Sequence, residues 1–202
     1  MTFAAPPPIV AILRGVKPDE VIDIAAALVG AGVGAIEVPL NSPDPLESIR
    51  RLCDAFGDQA LCGAGTVLTP DAVDAVAQAG GKLIVTPNTD PTVIARGVER
   101  GLTVMPGFAT PTEAFAAIKA GARALKLFPA GTFGPGHLKA VKDVLPREVA
   151  VYAVGGVGAG NLDAWRSAGV DGIGVGGELY RPGDGAADVA ERAARLVTAW
   201  MA

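Results

Sequence analysis

The sequence is poor in the residues that most often bind metal ions. It contains one histidine, His137, and two cysteines, Cys53 and Cys62, in 202 residues. Two cysteines are too few for a disulfide framework or a cysteine-based metal site, so we expect two reduced thiols and no bound metal. A single histidine without an acidic cluster also argues against a metal-dependent enzyme and against a Ser-His-Asp hydrolase. Because His137 lies in FGPGHLKA, near the start of a predicted helix, we interpret it as an exposed residue.

The sequence also lacks long apolar segments and a dominant charge of one sign. It has no stretch of about 18 apolar residues, which argues against a transmembrane helix. The N-terminal MTFAAPPPIVAILRG has no basic segment before an apolar core, so a secretory signal is not expected. The net charge is −4 and the charged residues are scattered, so neither nucleic acid nor an anionic membrane is expected as a partner. We therefore expect a cytoplasmic protein.

What the sequence does contain is a series of short apolar runs separated by alanine-rich segments of helical periodicity. Eight runs begin 20 to 26 residues apart, at 9–15, 35–40, 60–67, 82–88, 102–108, 124–130, 149–157 and 172–180. The runs are typical of strands and the intervening segments of helices. Four helices are predicted to open at a Ser, Thr or Lys followed by proline, namely at Lys17, Ser42, Thr69 and Thr110. Several end in an Ala-Gly step, which suits a left-handed C-terminal cap.

Eight strand–helix units favour an α/β fold, a (β/α)8 TIM barrel formed by residues 1–202 as a single domain. An open, doubly wound sheet is the alternative for the same alternation. No G-x-G-x-x-G motif follows the first strand, and evenly spaced repeats suit a closed barrel better. We therefore predict the barrel.

Three charged residues lie in or at the end of predicted strands. Lys126 is in ALKLFPA, Glu37 is in AIEVPL, and Arg14 ends AILRG. A closed barrel has no edge strand, and side chains alternate between its interior and the surrounding helices. If Leu125 and Leu127 face the helices, Lys126 faces the interior near the C-terminal end of its strand, where barrel enzymes have their active sites. A purely structural Lys–Glu pair, or a surface ion pair for Arg14, is the alternative.

The positions of these charged residues indicate a possible chemistry. Glu37 and Lys126 lie on the predicted second and sixth strands, and alternate strands contribute to the same interior layer, so we expect the two side chains to meet. A desolvated lysine amine has a lowered pKa and can attack a ketone to form a Schiff base. A carboxylate within reach can transfer the protons that this reaction requires. Arg14 at the mouth of the barrel would suit a carboxylate or a phosphate.

Glycine clusters end three of the predicted strands. AVGGVGAGN at 153–161 and GVGGELY at 174–180 end the seventh and eighth strands, where barrel enzymes bind phosphate through backbone N–H groups. GAGTV at 63–67 ends the third strand and could hold a small anion with the help of the Thr66 hydroxyl. A single Gly-Gly step often marks only a turn, whereas the two clusters together indicate a phosphate site.

In their order, these motifs resemble the bacterial aldolases that act on 2-dehydro-3-deoxy-6-phospho sugar acids. The matching segments are ILRG, AIEVPLNSP, GAGTV, VTPN, PGFATPTEAFAAIKAGA, LKLFPA and AVGGV, and they extend through almost the whole chain to ELYRPG. The resemblance implies a small barrel that is usually a homotrimer and that needs no metal or organic cofactor. It assigns the Schiff-base lysine to Lys126 and the proton-transferring glutamate to Glu37. It further assigns the substrate-binding arginine to Arg14, the pyruvate-carboxylate region to Gly65 and Thr66, and the phosphate glycines to Gly155, Gly156 and Gly176.

One position departs from the family pattern. Many members have a serine after the glycine that corresponds to Gly176, and its hydroxyl contacts phosphate, whereas here the residue is Gly177. The backbone N–H of Gly177 remains available, so we expect weaker phosphate binding rather than its loss. Val154 before Gly155, and PLNSP after Glu37, resemble the galactonate branch of the family rather than the gluconate branch.

The resemblance implies cleavage of 2-dehydro-3-deoxy-6-phosphogalactonate to pyruvate and D-glyceraldehyde 3-phosphate. The gluconate epimer and 4-hydroxy-2-oxoglutarate are alternative substrates. From other classes, a phosphosugar isomerase or epimerase, or a non-catalytic phosphate-binding barrel, could share the glycine clusters. An isomerase would require no Schiff-base lysine and would need a second acid or base, and we find no second strand-end carboxylate in the sequence. A binding protein would gain nothing from burying Lys126 and Glu37.

Overall fold

The described residues, 5–202 of a computed structural model, contain nine strands that pair in parallel. The strands are β1 Ile9–Ile12, β2 Ala35–Pro39, β3 Leu61–Gly65, β4 Leu83–Val85, β5 Thr103–Met105, β6 Gly107–Phe108, β7 Ala124–Leu127, β8 Ala150–Val154 and β9 Gly172–Val175. Their order in the sheet is β5-β4-β3-β2-β1-β9-β8-β7-β6. Consecutive strands of the chain are therefore neighbours in the sheet, except for β5 and β6, and the first strand, β1, also pairs with the last, β9. A doubly wound sheet reverses its strand order at a switch point, and this sheet does not.

The two ends of this order, β5 and β6, are consecutive in the chain and separated only by Pro106. Proline has no N–H to donate to a strand ladder, but the carbonyl oxygen of Pro106 accepts from the backbone N–H of Lys126 at 2.8 Å. On the other side, Met105 accepts from Thr86 at 3.3 Å. Segments β5 and β6 are therefore two halves of one barrel strand. The predicted (β/α)8 barrel is confirmed, with its fifth strand divided at a proline.

Eight α-helices alternate with the strands over the described residues. They are α1 Val21–Gly30, α2 Pro45–Phe56, α3 Pro70–Gln78, α4 Pro91–Glu99, α5 Pro111–Lys119, α6 Ala130–Lys142, α7 Leu162–Ser167 and α8 Ala186–Met201, with a short 3₁₀ turn at Ala159–Asn161 before α7. None of these helices is long and apolar enough to cross a bilayer.

The predicted helix starts are only partly correct. Thr69 and Thr110 cap α3 and α5 through their hydroxyls, as predicted. Helix α1 begins at Val21 rather than beside Lys17, because residues 18–20 form a turn first. Helix α2 begins after Asp44, and the Ser42 hydroxyl instead accepts the backbone N–H of Gly15 at 2.9 Å.

The predicted Ala-Gly helix ends are confirmed. The glycines that follow α1, α3, α5 and α7 all have positive φ values, 96°, 87°, 108° and 83° for Gly32, Gly80, Gly121 and Gly169. This left-handed conformation is unfavourable for residues with a Cβ atom and is the common way to end a helix. The chain thus turns back toward the next strand within a few residues.

The core has two parts, which lie on opposite faces of the strands. A large cluster fills the space between the barrel and the helices and includes Leu125, Leu127 and Ile36. A small cluster contains the residues that alternate with them, Val10, Ala35, Leu61, Leu83, Val85, Met105, Ala124 and Tyr152. Lys126 and Glu37 follow Ala124 and Ala35 by two residues and therefore share the interior face. The predicted inward orientation of both charged residues is confirmed.

The close approach of β3 to β4 gives a test of this packing. A Cβ atom on Gly63 would lie 2.0 Å from the carbonyl oxygen of Leu83, a backbone atom that cannot move without shifting the strand. We expect Gly63→Ala to lower the free energy of unfolding by about 1–3 kcal/mol or more, as overpacking does in other cores. Urea unfolding followed by circular dichroism measures it.

Gly30 at the end of α1 provides the matched control. A Cβ atom there meets nothing within 4 Å, and alanine is favoured over glycine in helices by up to about 1 kcal/mol. Gly30→Ala is therefore expected to leave stability unchanged or raise it slightly. A Gly63→Ala variant as stable as Gly30→Ala would contradict the close strand approach.

Candidate active site

A cavity of about 360 Å³ opens at the C-terminal ends of the strands, the end where the predicted site residues lie. Eight of the nine residues singled out from the sequence line it, namely Arg14, Glu37, Thr66, Lys126, Gly155, Gly156, Gly176 and Gly177. The ninth, Gly65, is buried at the end of β3 and lies beside the Glu37 carboxylate. The fold thus brings together residues that are up to 163 positions apart in the chain, from Arg14 to Gly177.

Lys126 and Glu37 form the floor of this cavity. The two side chains are only 6% and 3% exposed, respectively. Oε2 of Glu37 is buried and has no hydrogen-bond partner in the described part of the chain. Nζ of Lys126 lies 4.7 Å from the centre of the Phe128 ring, within the range of a cation–π contact. A buried carboxylate oxygen without a partner is unusual in a structural ion pair, because each unsatisfied polar atom costs free energy.

Burial brings the pKa values of these two groups close to neutrality. It raises the pKa of Glu37 from 4.5 to about 7, against the opposing influence of Lys126 and then Arg14. It lowers the pKa of Lys126 from 10.5 to about 8; Glu37 opposes this shift and Arg14 adds to it. Near neutral pH the pair can therefore exchange protons, and a fraction of the lysine is the neutral, nucleophilic amine.

The end of β3 is shaped around the Glu37 carboxylate. A Cβ atom on Gly65 would lie 1.9 Å from Oε2 of Glu37, so no larger residue fits without moving the carboxylate. The next residue, Thr66, has φ of +56°, a left-handed conformation that is uncommon for a β-branched residue. Such strain is maintained only when the surroundings require it and is often found at functional sites. In this left-handed conformation Thr66 lies at the cavity wall.

Two glycine loops form the opposite side of the cavity. Gly155 and Gly156 follow β8 with φ of +91° and +75°, and Gly176 and Gly177 follow β9. The carbonyl oxygen of Gly155 accepts the N–H of Gly131 at 2.7 Å, which ties the first loop to the start of α6. A Cβ atom on Gly177 would meet nothing within 4 Å, so a serine fits at this position without a clash.

The cavity also contains residues that were not singled out from the sequence. Phe128 and Pro87 line it, and both lie near the ends of predicted strand runs, in LKLFPA and VTPN. Glu178 lines it as well, so the expectation that no second strand-end carboxylate would be present is wrong. Its position, immediately after the Gly176-Gly177 step at the end of β9, was the signal that could have revealed it.

His137 is not the exposed residue that was predicted. It is half-buried, its Nε2 lies 2.6 Å from the carbonyl oxygen of Ala109, and its ring packs against Phe133 with 5.0 Å between centroids. It does not line the cavity. Within residues 5–202 there is no group of three or more His, Cys, Asp or Glu side chains arranged to hold a metal ion.

Replacement of Glu37 by glutamine tests the cost of the buried carboxylate. Because folding raises the pKa of Glu37 from 4.5 to about 7, the native state binds this proton more tightly, and stability falls as the pH rises through that interval. Glutamine has no charge to bury. We expect Glu37→Gln to be more stable than the wild type by about 1–3 kcal/mol at pH 8 and to lose most of this advantage near pH 4.5. Urea unfolding at both pH values measures the difference.

An exposed glutamate supplies the control for that experiment. Glu148 lies on the surface just before β8, and Glu148→Gln should change the unfolding free energy little at either pH. An advantage of Glu37→Gln that is equal at both pH values would contradict the raised pKa.

Comparisons with known proteins agree with this geometry. A family model, Aldolase: KDPG and KHG aldolase, matches residues 4–190. The 2-dehydro-3-deoxy-6-phosphogalactonate aldolase of Escherichia coli (strain K12) is 53% identical over 193 residues, which cover 96% of this chain and 94% of that protein.

Two solved structures are also similar. A native KDPGal structure has a TM-score of 0.96 and 51% identity, with 100% of this chain and 98% of that one covered. A cube-shaped, highly porous protein cage, designed by fusing symmetric oligomeric domains, contains a chain with a TM-score of 0.95 and 52% identity, with 96% and 72% covered. The match to the family model over almost the whole length shows that this chain belongs to the KDPG and KHG aldolase family.

Proposed function

We propose that this chain cleaves 2-dehydro-3-deoxy-6-phosphogalactonate to pyruvate and D-glyceraldehyde 3-phosphate through a Schiff base on Lys126. The observation that carries the proposal is a lysine amine buried in a barrel cavity beside a carboxyl group, with its pKa lowered to about 8. A neutral amine is the form that attacks a ketone. Membership of the aldolase family supports the same reaction type.

In the proposed mechanism, the neutral amine of Lys126 attacks the C2 carbonyl of the substrate and forms a carbinolamine. Glu37, protonated near neutral pH because of its raised pKa, donates a proton to the C2 hydroxyl, which leaves as water and produces the protonated imine. The imine is an electron sink for the bond between C3 and C4. The pair can regenerate its protonation state because the two pKa values are close to each other.

Cleavage then follows from one proton transfer. The Glu37 carboxylate accepts the C4 hydroxyl proton, directly or through a water molecule, and the C3–C4 bond breaks. Its electron pair forms the enamine of pyruvate on Lys126, and D-glyceraldehyde 3-phosphate leaves. Protonation of the enamine at C3 and addition of water release pyruvate and restore the amine. The water lost in imine formation is thus balanced by the water added at the end, and no metal or organic cofactor takes part.

The walls of the cavity suit the charged ends of this substrate. We assign the substrate carboxylate to Gly65 and Thr66, beside the Lys126–Glu37 pair, and the phosphate to Gly155, Gly156, Gly176 and Gly177. Glycine permits close approach of backbone N–H groups to a phosphate. Arg14 supplies a guanidinium for one of the two anionic ends.

We propose that the substrate has the galactonate rather than the gluconate configuration at C4, because Val154 and PLNSP resemble the galactonate branch of the family. Val154 is also one of the residues that line the cavity. Comparison of kcat/KM for the two epimers tests this assignment, and a preference for the gluconate epimer would reverse it.

We further propose that residues 1–202 form one domain, that the protein is a cytoplasmic homotrimer, and that it has no nucleic-acid or membrane partner.

A phosphosugar isomerase or epimerase is the second candidate, and the observation in its favour is Glu178. A second carboxylate in the cavity could supply the acid or base that such an enzyme needs. An isomerase, however, uses neither a nucleophilic amine nor pyruvate. Covalent trapping with pyruvate separates the two functions.

We predict that pyruvate and borohydride modify Lys126 alone. Reduction of the imine converts it to a stable secondary amine, which mass spectrometry of the intact protein and its peptides can map. Lys126→Met should form no adduct and have no measurable aldol cleavage, since it lacks the nucleophile. Lys119→Met and Lys139→Met are matched controls, and both should label like the wild type. Labelling at another lysine, or none, would refute the Schiff-base proposal in favour of the isomerase.

A further prediction concerns the hydroxyl that Gly177 lacks. A serine fits there without a clash, and one additional hydrogen bond to a charged group is worth about 1.5–3 kcal/mol at most. We expect Gly177→Ser to lower KM for the phosphorylated substrate by at least about twofold and at most about 100-fold, with little change for an unphosphorylated aldol substrate. Gly177→Ala is the control because it adds the Cβ atom without the hydroxyl. An equal effect of both variants would place the phosphate elsewhere.

A further inference from the structure

The guanidinium of Arg14 at the cavity wall is held by a neutral amide and not by an acid. Nη1 of Arg14 donates to Oδ1 of Asn41 at 2.7 Å. The backbone N–H of the next residue, Gly15, donates to Oγ of Ser42 at 2.9 Å. Asn41 and Ser42, in the loop after β2, thus accept hydrogen bonds from Arg14 and Gly15, in the loop after β1.

The loop that carries Asn41 is itself fixed. The backbone N–H of Leu40 donates to the carbonyl oxygen of Gly65 at 2.8 Å, and that of Ser42 donates to Pro39 at 2.9 Å. Ser42 is buried. The backbone on both sides of Asn41 is therefore held by hydrogen bonds, which places its side-chain amide oxygen where it accepts from the exposed Arg14 side chain.

Whether the group that accepts from Arg14 is neutral or acidic decides whether the guanidinium keeps an unpaired positive charge. Arg14 has no ion pair within the described range of the chain, although the cavity also contains two acids, Glu37 and Glu178. An amide accepts a hydrogen bond without neutralising the guanidinium, whereas an aspartate would form an ion pair. An unpaired guanidinium is the state that an anionic substrate group requires.

We propose that Asn41 is a positioning residue that holds the Arg14 guanidinium over the cavity with its positive charge unpaired and available to an anionic end of the substrate. The proposal rests on the proposed aldolase function, and it adds a residue outside the cavity lining to the machinery of that reaction. Asn41 is not among the residues that line the cavity, and in this proposal it acts through Arg14.

The position of Arg14 also has an effect at a distance, on the Lys126–Glu37 pair. After burial and the mutual attraction of the pair, Arg14 is the third influence, and it lowers the pKa of both groups. The charged residues that face the cavity are Arg14, Glu37, Lys126 and Glu178. Displacement or neutralisation of Arg14 therefore raises both pKa values, which a purely structural role for Asn41 would not do.

The test compares Asn41→Ala with Asn41→Asp in steady-state cleavage of the phosphorylated sugar acid. Asn41→Ala removes the acceptor, and Asn41→Asp keeps an acceptor but pairs the charge. We expect both variants to raise KM about tenfold or more, the effect of losing one charge-assisted hydrogen bond, with kcat changed by about twofold or less. Gln59→Ala, an exposed amide beyond the opposite end of the barrel, is the matched control and should behave like the wild type.

The pH profile is the second measurement. For the wild type, kcat/KM should reach its maximum between about pH 7 and 8, because Glu37 titrates near 7 and Lys126 near 8. In both Asn41 variants the two limbs of the profile should move to higher pH. The Gln59→Ala profile should not move.

Each alternative result has a definite meaning. Wild-type KM in Asn41→Ala would overturn the positioning role, and wild-type KM in Asn41→Asp would overturn the need for an unpaired charge. A loss of kcat with unchanged KM and an unmoved pH profile would also overturn the proposal. Failure of the aldolase function itself is recognised separately, because the wild type would then give no pyruvate adduct on Lys126, whereas all Asn41 variants of a true aldolase retain that adduct.

Discussion

The burial of an amine and a carboxyl group on the same interior face of a closed barrel is the constraint around which the rest of the site is arranged. Each group is almost completely removed from water, and desolvation disfavours the charged form of both. The mutual attraction of Lys126 and Glu37 only partly offsets this effect, as their shifted pKa values of about 8 and 7 indicate. The result is a pair whose protonation changes near neutral pH, whereas on the protein surface neither residue would titrate in that range.

The same constraint explains the small residues around the pair. Gly65 lies against Oε2 of Glu37, where a Cβ atom would clash, and Gly63, one layer below on the same strand, permits β3 to approach β4 closely. Below the pair, the apolar interior cluster that includes Ala35, Ala124 and Tyr152 fills the N-terminal part of the barrel. That cluster fills one end of the barrel, and the cavity that reaches the charged layer opens at the other, C-terminal end.

Much of this arrangement could be predicted from the sequence because it depends on simple periodicities. Side-chain alternation in a barrel without edges was enough to place Lys126 and Glu37 inside, and the confirmed Ala-Gly helix ends follow from the conformational freedom of glycine. The division of the fifth strand at Pro106 was not predicted, since a proline carbonyl that accepts from a neighbouring strand has no local signature. Ser42 was mistaken for a helix cap because its sequence neighbours suit one, whereas its actual partner, Gly15, is distant in sequence.

Glu178 and His137 were misjudged for a similar reason. Whether a polar residue just after a strand faces the cavity or the solvent depends on the turn that follows, and the turn after β9, in which Gly176 accepts from both Leu179 and Tyr180, was not evident from the spacing of the apolar runs. His137 was predicted to be exposed because it lies near the start of a helix, but α6 is kinked at Gly134, which has φ of +79°, and the His137 ring contacts the carbonyl oxygen of Ala109. Long-range contacts of this kind are set by tertiary geometry and not by local pattern.

The distribution of charge in the cavity has a further consequence for the proposed reaction. A sugar acid with a carboxylate and a phosphate brings up to about three negative charges, and anions close to Lys126 favour its ammonium form, which cannot attack a carbonyl group. Binding the phosphate through backbone N–H groups of the glycine loops gives this charge hydrogen-bond donors of its own, without an additional charged side chain beside the amine. Arg14 lowers the pKa of Lys126 in the free protein, and its charge offsets an anionic end of the substrate once that end is bound. Both effects require a neutral partner such as Asn41, because an acid in its place would bind the arginine more tightly and neutralise its charge.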